Sequence, residues 1–139
     1  MIYLDSAATT FQKPPSVSYA MLRAMRTMSS PGRGGYAAAR AAEETAFRCR
    51  SLAAELFGVP SPEQVVFTSN ATHALNIAIR SLVPEGGRVA VSGYEHNAVT
   101  RPLHALGARI KVAGSPLFDR AALLRAFENS ISPELDAVV

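Results

Sequence analysis

A run of small residues, Thr68-Ser69-Asn70-Ala71-Thr72, stands between a predicted strand and a predicted helix. The first turn of a helix carries N–H groups without intrahelical partners and a partial positive charge, a combination that suits a phosphate group. Small side chains let such a ligand approach the backbone, and Thr72 adds a hydroxyl donor. The same residue types cap helices without any ligand. Taken alone, the run therefore favours an ordinary helix N-cap over a phosphate site.

A second polar segment, Gly93 to Asn97, follows directly after a predicted strand that ends at Ser92. Its histidine, His96, has a flat ring that can stack on a cofactor and an imidazole that can act as acid or base near neutral pH. The neighbouring Glu95 would bias the charge of that ring. The alternative is a surface turn in which Asn97 caps the next helix. Parallel sheets bind ligands at the carboxyl ends of their strands, and here two polar turns follow neighbouring predicted strands. With this added, a ligand site and a simple surface turn are about equally favoured for the segment.

A glycine-rich segment, Ser30 to Tyr36, is the third candidate. Its glycines can form a nest of N–H groups for an anion, and Arg33 can bind a carboxylate or a phosphate. No predicted strand precedes the segment, and its glycines do not have the spacing of a dinucleotide-binding loop. A flexible loop between two helices is therefore the favoured interpretation.

Cys49 is the single cysteine of the chain, which excludes a disulfide within it and fits a reducing compartment. It falls on a predicted apolar stripe of a long helix, so we expect a buried structural thiol rather than a nucleophile. The other members of the stripe are Thr45, Leu52, Ala53 and Leu56. The sequence has no Cys/His spacing typical of zinc and no H-E-x-x-H motif, so no metal site is predicted.

Predicted helices and strands alternate along the chain and position these segments. The predicted strands are Ile2–Leu4, Gln64–Thr68, Arg88–Ser92, Arg109–Ala113 and Leu135–Val139. The predicted helices are Ser16–Met28, Ala37–Phe57, Thr72–Leu82, Ala98–Leu106 and a last one from an Asp119 cap to Phe127. Ser16 is the predicted N-cap of the first helix, and Gly58 is the predicted end of the second. Apolar strands separated by helices predict an α/β fold with a mostly parallel sheet flanked by helices on both faces.

The composition is that of a folded globular chain. Its 139 residues are about one domain in length, and 48% apolar with 18% charged residues exclude disorder by composition. No apolar run approaches the roughly 18 residues that a membrane-spanning helix needs. An acid, Asp5, stands where a secretory signal would carry basic residues, so we expect a cytoplasmic protein. The chain ends inside a predicted apolar strand, and we therefore expect a fragment of a larger protein.

The net charge of +3 comes from 14 basic and 11 acidic residues. Only Lys13 and Lys111 are lysines, and the arginines are spread from Arg23 to Arg125 among acids. Nucleic-acid-binding domains usually concentrate basic residues on one face with aromatic residues among them, and this chain has no Trp. Binding to nucleic acid or to a membrane is therefore not expected.

Four segments, in this order, resemble the cysteine desulfurase family of class V, fold-type I pyridoxal-phosphate enzymes. They are Tyr3–Thr10, Pro31–Tyr36, Val65–Asn76 and Glu95–Asn97. Each motif alone is weak, whereas four in the family's order and with similar spacing match over nearly the whole chain. The resemblance reaches only the N-terminal part of the family. It implies an arm and first helix over residues 1–36 and a truncated α/β portion of the large cofactor-binding domain over residues 37–139.

The resemblance implies a site for pyridoxal 5′-phosphate (PLP). Asn70, Ala71 and Thr72 match the turn whose backbone amides and threonine hydroxyl hold the cofactor phosphate. His96 matches the catalytic histidine that stacks on the pyridine ring and assists proton transfer. The segment from Asp5 to Thr10 is similar to a loop that approaches the active site, in the family often from the partner subunit.

The reaction that the resemblance implies converts L-cysteine to L-alanine and leaves the sulfur as a persulfide on an enzyme cysteine. A homodimer, a sulfur-acceptor protein and a role in iron–sulfur cluster assembly are implied with it. The family's cofactor-linking lysine, its pyridinium-pairing aspartate and its persulfide cysteine fall beyond the family position that matches Val139. Lys13, Lys111 and Cys49 match none of them, so we expect the fragment alone to be inactive.

Three positions depart from the family pattern. Asn70 stands where many members have Gly, His73 where many have Glu, and Tyr36 where a His is common. These departures leave the subfamily open. The alternatives are another class V enzyme, such as a selenocysteine lyase or an aminotransferase, and a non-catalytic short binding module.

Overall fold

A computed structural model describes residues 2–139 of the chain. They form two compact units, one that ends at Val66 and one from Phe67 to Val139. The regular elements of the first unit are helices, and those of the second are alternating helices and parallel strands. The predicted α/β class is confirmed. Within residues 2–139, no helix combines the length and apolar character that crossing a bilayer would need.

The first unit is built on helices whose ends follow from proline and glycine. They are α1 (Pro15–Thr27), α2 (Ala37–Phe57) and a short 3-10 helix (Pro62–Gln64). α1 begins at Pro15, because proline has the φ of a first helical residue and needs no N–H partner there. The predicted N-cap at Ser16 is therefore wrong, and Pro14 occupies the cap position without a side-chain hydrogen bond. α2 has the predicted bounds and ends at Gly58, which adopts a φ of 65°.

Two predicted strands, Ile2–Leu4 and Gln64–Thr68, are not strands in the structure. Gln64 ends the 3-10 helix, and residues 65–68 are irregular, although Val65 is extended with a φ of −93° and a ψ of 116°. β-branched composition gives only a propensity, and a strand forms where a second strand pairs with it. No strand in the described part of the chain pairs with either segment.

The apolar stripe predicted on α2 faces solvent. Its members Thr45, Cys49, Leu52 and Leu56 are exposed, and Ala53 is half-buried. The helix buries Ala39 and Ala54 instead. An apolar stripe is buried only where another element packs on it. The prediction of a buried Cys49 is therefore wrong, and its thiol is accessible to solvent.

The second unit alternates helices and strands. In chain order its elements are α3 (Ala71–Leu82), β1 (Arg88–Ser92), α4 (Asn97–Ala105), β2 (Arg109–Ala113), α5 (Arg120–Glu128) and β3 (Ala137–Val138). β1 and β2 have the predicted bounds, α3 and α4 begin one residue earlier than predicted, and β3 is shorter. α5 follows the predicted cap, because the Asp119 carboxylate accepts the N–H of Ala122 at 2.8 Å.

The three strands form one parallel sheet in the order β2-β1-β3. Val89 of β1 pairs with Ile110 on one side and with Ala137 on the other, so β1 is the central strand. Parallel pairing requires crossover connections, which α4 and α5 provide. The carboxyl ends of β1 and β2 therefore lie at the same edge of the sheet. The polar turn that contains His96 follows β1 at this edge.

The core of the second unit lies between the sheet and its helices. Leu103 of α4 and Val89 of β1 are 0% exposed. The other buried members of this cluster are Ile79, Val83, Val91 and Val99. The central strand β1 is covered on both faces, as predicted. The outer strand β2 is not, because its Val112 is 58% exposed.

Candidate functional site

Asn70 caps helix α3 with its side chain. Its Oδ1 accepts a hydrogen bond from the backbone N–H of His73 at 2.9 Å, and its carbonyl accepts one from Ala74 at 3.1 Å. Thr68 steadies this turn, because its hydroxyl donates to the Asn70 carbonyl at 2.9 Å. Asn is among the best N-cap residues, so the local sequence explains why the helix begins here. The N-cap that the sequence favoured is confirmed.

The cap leaves the first two helical amides available. Within residues 2–139, no acceptor is hydrogen-bonded to the N–H of Ala71 or of Thr72. The Thr72 hydroxyl likewise has no partner in the described part of the chain, and both residues are exposed. The start of α3 can therefore present two N–H donors, one hydroxyl and the positive end of the helix dipole to an anion.

The turn after β1 ends in a histidine that caps α4. The Ser92 hydroxyl donates to the carboxylate of Glu95, which organises the turn. His96 occupies the N-cap position, where its Nδ1 accepts the N–H of Ala98 at 3.1 Å. The cap that was considered for Asn97 therefore belongs to His96, since the helix begins at Asn97 itself.

Capping fixes the orientation and the tautomer of His96. Because Nδ1 accepts a hydrogen bond, the proton of the neutral ring lies on Nε2. The Glu95 carboxylate is hydrogen-bonded to Ser92, and no hydrogen bond joins Glu95 to His96 within residues 2–139. The exposed imidazole can therefore present one N–H donor and a flat face to a ligand.

Thr72 and His96 line the same groove, which lies between α3 and α4. The groove has a volume of about 510 Å³, within the range of small-molecule sites. Its polar lining consists of Thr72, Asn76 and Arg80 on α3 and of His96, Asn97 and Arg101 on α4. Asn70 and Ala71 lie at the same end of α3 but outside this lining. The structure thus brings two of the four predicted site residues together in one cavity.

Four of the polar lining residues, Asn76, Arg80, Asn97 and Arg101, were not predicted as site residues. Thr72, Asn76 and Arg80 are spaced by four, which places them on one face of α3. Asn97 and Arg101 have the same spacing on α4. This spacing is a signal in the sequence, but it does not show that the two faces meet. The packing of α3 beside α4 creates the groove.

His73 has a hydrogen-bond partner beside the capped turn. Ser69 Oγ and His73 Nδ1 lie 3.0 Å apart. Both side chains are exposed, and neither lines the groove. The pair links the segment that precedes α3 to the first turn of the helix, which is a structural role for the residue at position 73.

The glycine-rich segment lies in the first unit, where it connects α1 to α2. The hydroxyls of Ser29 and Tyr36 are hydrogen-bonded to each other, and the Arg40 guanidinium donates to the Gly35 carbonyl. Arg33 is exposed. The segment is therefore the interhelical loop that the sequence favoured, and these contacts fasten its end to the start of α2.

The two lysines are engaged with backbone carbonyls. Lys13 Nζ donates to Thr10 at 2.7 Å, next to the Asp5–Thr10 segment in the first unit. Lys111 Nζ donates to Asn129 at 3.1 Å and to Ser130 at 3.4 Å. Neither lysine lines the groove. Within residues 2–139, no three His, Cys, Asp or Glu side chains cluster closely enough to hold a metal ion.

Comparison with known proteins finds a matching family model and relatives named as cysteine desulfurases. A family model described as aminotransferase class-V matches residues 2–139. A probable cysteine desulfurase of Vibrio cholerae is 31% identical over 146 residues, which cover 99% of this chain and 36% of that protein. A cysteine desulfurase of Frankia sp. is 32% identical over 130 residues, covering 88% of this chain and 30% of that protein. The cysteine desulfurase IscS of Pectobacterium carotovorum is 35% identical over 105 residues, which cover 70% of this chain and 26% of that protein.

The similarity extends over the whole described chain, although the chain spans only about a third of the length of these relatives. It includes both the run from Thr68 to Thr72 and the turn that contains His96. The parallel sheet and the polar turn that follows β1 agree with this assignment. The chain belongs to the aminotransferase class-V family and is similar to its cysteine desulfurases.

Proposed function

We propose that this chain supplies the phosphate-binding and ring-contacting part of a PLP-dependent cysteine desulfurase. The observation that carries the proposal is the groove between α3 and α4, which places Thr72 and His96 in one cavity. The names of the relatives support the proposed substrate, L-cysteine. We further propose that a second protein accepts its sulfur.

The residues present fit the phosphate of PLP. A phosphate monoester needs several hydrogen-bond donors and a positive potential. The amides of Ala71 and Thr72 and the Thr72 hydroxyl supply the donors, and none of them is used by a described residue. The groove has no carboxylate in its lining, so nothing there repels the anion. Asn70 positions these donors through the cap, with its Oδ1 committed to His73.

His96 is proposed to face the pyridine ring. The hydrogen bond from Ala98 to Nδ1 holds the imidazole in place and leaves Nε2 to donate or exchange a proton. When bound, PLP withdraws electrons from the α-carbon of an amino-acid substrate. The chain's own part is to hold the phosphate, orient the ring and supply the Nε2 proton.

The remaining chemistry is proposed to lie outside this chain. Lys13 and Lys111 donate hydrogen bonds to backbone carbonyls, and neither lines the groove. We therefore do not assign the covalent link with the cofactor to either lysine. Cys49 lies in the other unit and is not assigned the persulfide. In relatives about three times as long, most of the sequence lies outside the matched part. We propose that it supplies these groups, that the full-length enzyme is a cytoplasmic homodimer, and that residues 37–139 are part of its large domain.

Binding of pyridoxamine 5′-phosphate to the 139-residue chain tests the proposal. This fluorescent vitamer has no aldehyde, so it does not react with lysines. Thr72→Val removes the hydroxyl donor and keeps the side-chain shape, and we expect about tenfold to hundredfold weaker binding. Thr100→Val on α4 is the matched control, because Thr100 lies outside the groove lining. Equal affinities of the two variants, or no binding by the wild-type chain, would overturn the assignment.

A further inference from the structure

The lining of the α3–α4 groove includes two guanidinium groups, those of Arg80 and Arg101. Arg80 lies two helical steps of four residues beyond Thr72, and Arg101 lies one such step beyond Asn97. Each helix therefore presents a polar row that begins at its N-terminal end and finishes in an arginine. Both arginines line the groove together with Thr72 and His96.

Neither arginine has an acidic neighbour in this cavity. The groove lining contains no Asp or Glu. Within residues 2–139, the side chains of Arg80 and Arg101 form no hydrogen bond and no ion pair. The ion pair in this part of the chain joins Arg88 to Glu134 instead. Both arginines are exposed. The two cations are thus available to an anion that enters from solvent.

A structural role explains one arginine but not the pair. Arg80 lies in the last turn of α3, where a cation favours the helix dipole. Arg101 lies in the middle of α4, where no such benefit exists. Because Arg101 and Arg80 line the same groove, the pair instead concentrates positive charge in one cavity.

We propose that Arg80 and Arg101 capture the phosphate of the incoming cofactor and guide it along the groove to Thr72, an inference that rests on the proposed function. A guanidinium binds phosphate with paired N–H donors. A groove lined by one sign of charge raises the association rate of an oppositely charged ligand, by about 10-fold to 1,000-fold in strongly focused cases. The arginines therefore select phosphorylated over unphosphorylated vitamers during binding.

Capture and final binding make different kinetic predictions. Arg80→Gln and Arg101→Gln should each lower the association rate constant several-fold, and the double variant by about tenfold at low salt. The dissociation rate constant should change less, because the phosphate in its final position is held by the start of α3. Raising the salt should reduce the wild-type association rate toward that of the double variant, since salt screens long-range attraction.

Stopped-flow fluorescence with pyridoxamine 5′-phosphate, at low and at physiological ionic strength, measures these constants. Arg125→Gln is the matched control, since it removes the same charge from α5, outside the groove. The proposal is supported if the groove variants slow association and the control does not. It is overturned if all three variants associate alike, or if the groove variants change only the dissociation rate.

A second readout separates this inference from the proposed function. NMR signals of the arginine Nε–H groups are followed while inorganic phosphate is added to the chain. Shifts confined to Arg80 and Arg101 support the groove as a phosphate site even if pyridoxamine 5′-phosphate does not bind, in which case the proposed function alone fails. Equal shifts at Arg80, Arg101 and Arg125, or none, overturn the capture proposal, whether or not the vitamer binds.

Discussion

Asn70 Oδ1 accepts the backbone N–H of His73 at 2.9 Å, and this helix cap leaves the first two helical amides to the proposed anion site. The cap uses the amide of the third helical residue. The amides of the first two, Ala71 and Thr72, have no acceptor within residues 2–139. The two interpretations of the Thr68–Thr72 run are therefore compatible rather than exclusive.

Asn70→Ala should lower the free energy of unfolding by about 1 kcal/mol, because it removes the N-cap acceptor of α3. Asn70→Gly, the residue common in the family, should cost only a few tenths of a kcal/mol. Urea unfolding of both variants measures the difference. If Asn70→Ala is as stable as the wild-type chain, the side-chain cap does not stabilise α3.

His96→Asn should keep α4 intact and weaken ligand binding. Asn is a good N-cap residue, so the cap on the Ala98 N–H survives, whereas the aromatic face is lost. We expect the affinity for pyridoxamine 5′-phosphate to fall by about twofold to tenfold, the value of an aromatic pair. His104→Asn on the same helix, outside the groove lining, is the control. If His96→Asn binds the ligand as tightly as the wild-type chain does, the imidazole ring of His96 does not contact the ligand.

The Ser61 hydroxyl donates to the Glu63 carboxylate and is the main reason that the pKa of Glu63 lies below its usual range. A depressed pKa in the folded state means that this contact stabilises the chain above the unfolded-state pKa of Glu63. The stabilisation is lost as the pH falls through the folded-state pKa. NMR titration of the carboxyl carbon should show the pKa of Glu63 rising in Ser61→Ala. It should not move in Ser51→Ala, and an unchanged pKa in both variants would rule out the hydroxyl as the cause.

Cys49 should react with a thiol reagent in the native chain nearly as fast as in urea, because its side chain is exposed on α2. Cys49→Ser should change the free energy of unfolding by less than about 0.5 kcal/mol, as is usual for exposed positions. Timed labelling with and without denaturant measures the protection. If the native chain protects Cys49 strongly from the reagent, the thiol is buried, as the sequence pattern predicted.

The sequence-based predictions succeeded where local signals were sufficient. Gly58 and the helical period set the bounds of α2, and an apolar run between turn residues set those of β1. Asp119 and the run at Asn70 identified two caps correctly. Each of these signals acts within a few residues along the chain, so no knowledge of tertiary packing is needed.

The predictions failed where the outcome depends on a distant partner. The Gln64–Thr68 segment has strand-forming residues but no strand beside it in the described part of the chain. The stripe around Cys49 is amphipathic, yet within residues 2–139 four of its five members are exposed. Arg80 and Arg101 were not predicted because β1 lies between their helices in the sequence. Only the packing of α3 beside α4 brings both side chains into one groove. Periodicity gives the face of a helix and not the element that the face meets.

The most direct test of the central claim compares two ligands that differ by one phosphate. Equilibrium fluorescence titrations of the wild-type chain with pyridoxamine 5′-phosphate and with pyridoxamine give the contribution of that group. We predict that the phosphorylated vitamer binds at least about tenfold more tightly, since several charge-assisted hydrogen bonds at the start of α3 recognise the phosphate. Equal affinities would contradict the account, because the Ala71 and Thr72 donors would then not hold a phosphate.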